Sequence, residues 1–197
     1  MALVERQQTI LAILQNLHQT QDKGLKELFW TELNFARENK PLSPRQWPAS
    51  ARQPLADDPT LFASGGADGA FHVIYTRLSG DTLSRNAERA VVNQLLRDHP
   101  YVLFVFSNQN RTVWHFLNVK YDASVEKRRL VRRIAVRSGE GLRTAAERIT
   151  MLDLQSINPE LFGLSPLAIQ QCHDEAFDVE KVTKEFYREI ANWYFWA

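Results

Sequence analysis

Lys127-Arg128-Arg129-Leu130-Val131-Arg132-Arg133-Ile134-Ala135-Val136-Arg137 is the stretch of this chain best equipped for chemistry. Read at the two-residue period of a strand, Arg129, Arg133 and Arg137 share one face with Val131 and Ala135. Leu130, Ile134 and Val136 share the other with Arg132. A guanidinium is planar, permanently charged and donates in a fork that matches phosphate or carboxylate oxygens. A row of them on a rigid strand therefore suits a nucleic-acid backbone or an acidic protein surface. The alternative is a solvated sheet face with arginines laid over apolar neighbours.

The segment Ser107-Asn108-Gln109-Asn110-Arg111-Thr112 reads as a hairpin tip. Asn108, Asn110 and Arg111 carry the amide and cationic groups that read base edges or phosphates, although the same residues also make ordinary turns. Lys120 is a further cation, and Trp114 and Phe116 fall on its strand face, where they either stack on bases or pack in the core.

A metal-dependent nuclease of the restriction type needs carboxylates around a divalent ion and an acid-x-Lys triplet whose lysine orients water. Asn118-Val119-Lys120 has the lysine but an amide where the acid belongs, and Tyr101–Ser107 carries no acid. Glu88 and Asp122 are the nearest substitutes, so a nuclease would be an irregular one built from Glu88, Asp122 and Lys120. His72 and His115 sit in apolar runs and read as core or hydrogen-bonded histidines. In Cys172-His173-Asp174, adjacent residues on a helix point about 100° apart and do not form a nucleophile–base pair. Ser64-Gly65-Gly66-Ala67-Asp68-Gly69 lacks the lysine and spacing of a phosphate-binding loop. No catalytic or metal-ligating residue is assigned.

The elements that must position these groups follow from periodicity. Ile10, Leu11, Ile13, Leu14 and Leu17 make one helical stripe, and a Lys23-Gly24 break separates it from Leu25, Leu28, Phe29, Leu33 and Phe35, which predicts a helical hairpin over 1–38. Residues 39–69 hold Pro41, Pro44, Pro48, Pro54 and Pro59 with Gly65, Gly66 and Gly69 and read as a long loop. Residues 70–152 form the core. Phe71–Tyr75 reads as a strand, and a helix capped by Asp81 or Thr82 follows, with Leu83, Ala87, Ala90, Val91 and Leu95 inward and Arg85, Glu88, Arg89 and Arg97 outward. Strands over 101–107, 112–121 and 129–137 come next, and then a helix with capping-box spacing at Thr144 and Glu147. Residues 153–197 are helical, with a start at Ser165-Pro166 and a last amphipathic helix after Asp178. The fold class is α+β, with a mixed or antiparallel sheet of about four strands, flanking helices, an N-terminal helical hairpin and a C-terminal amphipathic helix.

The formal net charge of +1 conceals a division. Residues 111–148 are basic and the part from Asp153 onward is acidic, so the tail could also fold back on the arginine strand. Cys172 is the single cysteine, which excludes an intrachain disulfide. No stretch approaches the roughly 20 apolar residues of a membrane span. A cytoplasmic location is expected.

Leu103-Phe104-Val105-Phe106-Ser107-Asn108, Trp114-His115-Phe116-Leu117-Asn118-Val119-Lys120, Arg132-Arg133-Ile134, Leu142-Arg143-Thr144-Ala145-Ala146-Glu147-Arg148 and Ala176-Phe177-Asp178-Val179-Glu180-Lys181-Val182-Thr183-Lys184-Glu185-Phe186 occur in that order. Together they resemble the N-terminal region of large single-chain restriction-modification enzymes of the adenine-N6 DNA methylase class. The resemblance covers roughly residues 71–187 and rests on motif order. It implies prokaryotic defence against foreign DNA, and a methylase domain or subunit following residue 197 that uses S-adenosylmethionine, with magnesium a possible cofactor of the parent protein. This chain has neither the methylase motif nor the acid-x-Lys triplet, so neither activity carries over. The expectation is a non-catalytic module that binds or positions DNA, with Arg129, Arg133 and Arg137 on phosphates and Asn108, Asn110, Arg111 and Lys120 as secondary contacts. The alternative is a protein-interaction module docking through Phe186, Ile190, Trp193 and Trp196, because the aromatic ending Trp193-Tyr194-Phe195-Trp196-Ala197 calls for a covering partner. That ending also leads us to expect a fragment or a split gene product.

Overall fold

The computed structural model describes residues 3–122, 128–157 and 163–178. Among the described residues, six helices and six strands follow in the order α1 (Leu3–Thr20), α2 (Asp22–Lys26), β1 (Ala36–Pro41), α3 (Ala49–Arg52), β2 (Thr60–Gly65), β3 (Phe71–Arg77), α4 (Arg85–Leu95), β4 (Val102–Ser107), β5 (Val113–Asp122), β6 (Arg128–Arg137), α5 (Arg143–Thr150) and α6 (Pro166–Ala176). The six strands form one sheet in sequence order. Only β3 and β4 run parallel, and α4 is the crossover between them; every other pair is antiparallel. The α+β class expected from the sequence holds, but the sheet has two strands beyond the expected four.

The extra strands are β1 and β2, and the second half of β1 and all of β2 fall in the segment 39–69 that reads as a loop. β1 is an edge strand, exposed along nearly its whole length and loaded with Arg37, Glu38 and Lys40, so it shows no apolar alternation. Its Pro41 is tolerated because it ends the strand. β2 has the opposite problem: Ala63, Ser64 and Gly65 are weak strand formers, yet they are buried, and a register shift between Leu61 and Ala63 breaks the period.

β4, Val-Leu-Phe-Val-Phe-Ser, is buried at every position, as a central strand covered on both faces must be. On one face Leu103, Val105, Trp114, Phe116, Ile134 and Val136 meet α1, a π-helical turn over Glu27–Glu32, α5 and α6. On the other, Ile74, Phe104, Phe106, Leu117 and Val119 meet Val91, Val92 and Leu95 of α4. The N-terminal hairpin therefore belongs to the same core as the sheet. A second tie is Asp153, wholly buried, which takes Arg6 and the Asn34 amide (2.6 Å) and caps a short 3-10 turn over Leu154–Ser156.

Local signals fare unevenly. Ser165 caps α6 as expected, its Oγ accepting from Ala168 N at 3.1 Å. The capping box at Thr144 does not form: α5 starts at Arg143, whose guanidinium engages the Glu147 carboxylate at 3.0 Å. α4 begins after Ser84 rather than at Asp81 or Thr82. No helix among the described residues is long and apolar enough to cross a membrane.

Candidate nucleic-acid interface

β6 is the outer strand of the sheet, and its register against β5 sets Arg133 across from Leu117, Ala135 across from His115 and Arg137 across from Val113. This is the face α4 covers, and burial falls from β5 to β6. His115, Leu117 and Val119 are buried, Val131, Arg133 and Ala135 are half-buried, and Arg137 is exposed. Beyond the helix the strand forms a shelf. Because α4 joins two parallel strands it runs antiparallel to them, which brings its first turns to the end of the sheet where β6 finishes.

At that end Glu88 points from α4 into the sheet and is fully buried. Its Oε1 accepts from His115 Nδ1 at 2.5 Å and its Oε2 from Arg133 Nη2 at 2.5 Å. A buried carboxylate costs several kcal/mol in lost hydration, which one partner does not repay; two charge-assisted bonds, one on each oxygen, do. Glu88 thus fixes two cation-capable side chains from two strands. The reading of Glu88 as an outward residue of its helix is corrected here. The buried stripe is Glu88, Val91, Val92 and Leu95, and the acid sits in it one turn ahead of the valines.

Rotating about α4 from Glu88, Arg85 and Arg89 lie at about 60° and 100° on one flank, and Ala87 and Gln94 on the other. Gln94 lines a cleft with Arg45 and Trp47, so the Arg85 and Arg89 flank is the one turned towards β6. Both are exposed and neither has a bonding partner among the described residues. Arg137 has only an exposed contact with Glu140 at 3.4 Å, of the kind worth little in water. Arg85, Arg89, Arg133 and Arg137 therefore gather at one end of the helix and strand. Arg129 shares their register on β6, and its side chain lies outside the described residues.

The other sequence-predicted residues are dispersed. Arg132, on the opposite face, is paired with Asp178 at 3.2 Å and donates to the Asp174 carbonyl at 3.3 Å. Lys120 shares that face with Asn118, whose amide donates to Asp174 at 2.6 Å and accepts from Gln170 at 2.7 Å. The sheet therefore stands between Lys120 and Glu88, and Asp122 is the last residue of β5. The irregular nuclease constellation is not brought together, and the described residues contain no group of three His, Cys, Asp or Glu able to hold a metal ion.

Asn108 is buried and committed to its turn. Its Oδ1 accepts from Thr112 N (2.8 Å) and Val113 N (3.1 Å), while its Nδ2 donates to the Asp81 carbonyl and Thr112 Oγ1. Asn110 is exposed and reaches Asp81 at 3.4 Å. Arg111 adopts a left-handed backbone (φ 54°), and its guanidinium donates to Tyr75 Oη on β3 and to Gln21 Oε1 in the N-terminal helical hairpin. Trp114 and Phe116 are core residues, so they stack on no base; Trp114 lies against Tyr75 with centroids 5.6 Å apart. Of the histidines, His72 and His99 share a hydrogen bond between their Nδ1 atoms at 2.9 Å, with burial lowering the pKa of both. Phe186, Ile190, Trp193 and Trp196 lie outside the described residues.

Arg85 and Arg89 are the candidate contacts that reading the strand alone missed. Their signal was present as a pair at i, i+4 on the helix feeding β4, but only the tertiary placement of α4 beside β6 gives it meaning. No family model, curated protein or solved structure matches the chain.

Proposed function

We propose that this chain is a non-catalytic module that holds a nucleic-acid backbone, DNA in the first instance, against the shelf between α4 and β6. The observation that carries the reading is the clustering of Arg85, Arg89, Arg133 and Arg137 at one end of that shelf, with Arg133 locked by a buried carboxylate. Fixed guanidinium groups lose little entropy on meeting phosphates and make contacts that position a duplex without reading its bases. Asn108, consumed by its own turn, offers no amide to a base edge. The resemblance to restriction-modification N-terminal regions supplies the context: a cytoplasmic module positioning DNA for a methylase that would bring its own S-adenosylmethionine and magnesium chemistry.

The test is the charge-reversed variant R85E/R89E/R137E, which leaves the Glu88, His115 and Arg133 cluster intact. All three side chains are exposed, so the melting temperature should stay close to that of the parent. Affinity for a short duplex at fixed moderate salt should fall by about 100-fold or more. A folded variant that binds as tightly as the parent contradicts the assignment.

A further inference from the structure

A cleft of about 170 Å³ lies where α2, the first three strands and the tip of the β4–β5 hairpin meet. Tyr75, on its wall, packs with the core on the α1 side of the sheet, across from the α4–β6 shelf. Tyr75 and Arg77 close β3 and Ser107 closes β4, so the cleft opens at the carboxyl end of the one parallel pair, where open sheets hold small ligands. Its charged lining is Lys26, Arg77 and Arg111 against Asp22, Asp57 and Asp58, and its apolar lining is Leu25, Phe62 and Tyr75. Asp57, half exposed, accepts only from Nε of Arg77, at 2.6 Å. Both Nη groups of Arg77 have no partner among the described residues and are not buried, so the end of that fork is open. Asp58, the next residue, is exposed and has neither a hydrogen bond nor an ion pair among the described residues. Beside the cleft, Arg111 and Gln21 both hold left-handed backbones, φ 54° and 49°, and their side chains are bonded to each other at 3.0 Å. Backbone strain of that kind gathers at ligand clamps.

We propose that this cleft binds a free α-amino acid with an aliphatic side chain, independently of the nucleic-acid face. Cations and anions in equal number create no net field for a phosphate chain, but they match a ligand that carries both signs on one carbon. Such a ligand needs a donor fork and a carboxylate side by side, and the run Asp57-Asp58 beside Arg77 supplies them. The open end of the Arg77 guanidinium takes the ligand carboxylate in two parallel bonds. The ammonium donates to Asp58, whose oxygens are uncommitted. The aliphatic side chain lies against Leu25, Phe62 and Tyr75. A volume below the roughly 300 Å³ at which pockets for drug-sized ligands begin suits so small a molecule. Tyr75 is a positioning residue: its hydroxyl accepts from Arg111 Nε at 3.2 Å and so holds the hairpin tip over the cleft.

The test is isothermal titration of the full chain with L-alanine, L-valine and L-leucine, followed by two analogues of valine that each lack one charge. At least one of the three amino acids should give a saturable heat. L-valinamide, without the carboxylate, and N-acetyl-L-valine, without the ammonium, should each bind at least tenfold more weakly than L-valine. Asp58→Asn removes an exposed and unpaired charge, so its melting temperature should match the parent's while its affinity for the amino acid falls at least tenfold. Arg77→Gln should lose binding as well. The absence of a saturable heat with all three amino acids overturns the proposal. Equal affinity for L-valine and either analogue overturns the zwitterion assignment, and unchanged affinity in folded Asp58→Asn and Arg77→Gln places the ligand elsewhere. Because the cleft and the shelf lie on opposite sides of the sheet, loss of duplex binding in R85E/R89E/R137E should leave the amino-acid heat unchanged.

Discussion

Glu88→Ala should cost the fold about 3–5 kcal/mol, the loss typical of breaking a buried ion pair by removing one partner. The carboxylate is fully buried and each of its oxygens takes one 2.5 Å bond, so its removal strands two groups at once. The Arg133 guanidinium, about a quarter exposed, keeps a buried Nε without a partner and now lacks its counter-charge, and His115 Nδ1 loses its acceptor. For a domain of this size each kcal/mol is worth roughly 2–4 °C, so the midpoint should drop by about 10 °C or more. Equilibrium urea unfolding of the parent and variant measures this directly. Glu88→Gln retains the shape and one acceptor, and should fall between the two. A loss below 1 kcal/mol for Glu88→Ala would mean the cluster is not the anchor of the α4–β6 shelf.

His173 gives the second large effect, and it appears only in acid. The ring is completely buried between Phe71, 4.7 Å away, and Phe35, with neither nitrogen bonded. Burial pushes its pKa down from 6.5 to about 3. The folded state therefore holds this ring neutral while the unfolded chain can protonate it. Its stabilising contribution is complete above pH 6.5 and is lost as the pH falls from 6.5 towards 3, by about 4 kcal/mol. His173→Leu removes the titrating group from an apolar site. The variant should lose markedly less stability than the parent between pH 7 and 3, although both share the acid sensitivity of their carboxylates. Parallel stability curves for the two proteins over that range would show that protonation of His173 carries no penalty.

Period and composition made the apolar elements legible. α1 and the π-helical turn, β3 to β6 and the start of α6 all follow from stripes or alternation that the core then uses, because burial is what those patterns encode. β1 escaped because an exposed edge strand is specified by its neighbour's hydrogen bonds rather than by its own side chains, and β2 because small buried residues carry no period. The two faces of β6 were readable at period two: Ile134 and Val136 enter the core, Arg132 meets α6, and Arg133 and Arg137 take the other side. What could not be read was which of those arginines had a partner. Glu88 is 45 residues from Arg133 and 27 from His115 in sequence, and only the crossover connection brings them together. The same non-local placement sets Arg85 and Arg89 beside the strand and puts Lys120 behind the sheet, which is why a list of basic residues gave the face but not its membership.

The central claim, that this face holds a nucleic-acid backbone through phosphate contacts, is tested most directly by the salt dependence of binding. A short fluorescent DNA duplex is titrated with the chain at several salt concentrations. Each phosphate contact releases condensed counterions and contributes about −0.9 to the slope of log K against log salt. Four arginines at the shelf call for a slope of roughly −3 to −4, reduced by about three in the R85E/R89E/R137E variant. Binding that is insensitive to salt, or no binding at low salt, would contradict the claim and leave the arginines as partners of an acidic protein surface.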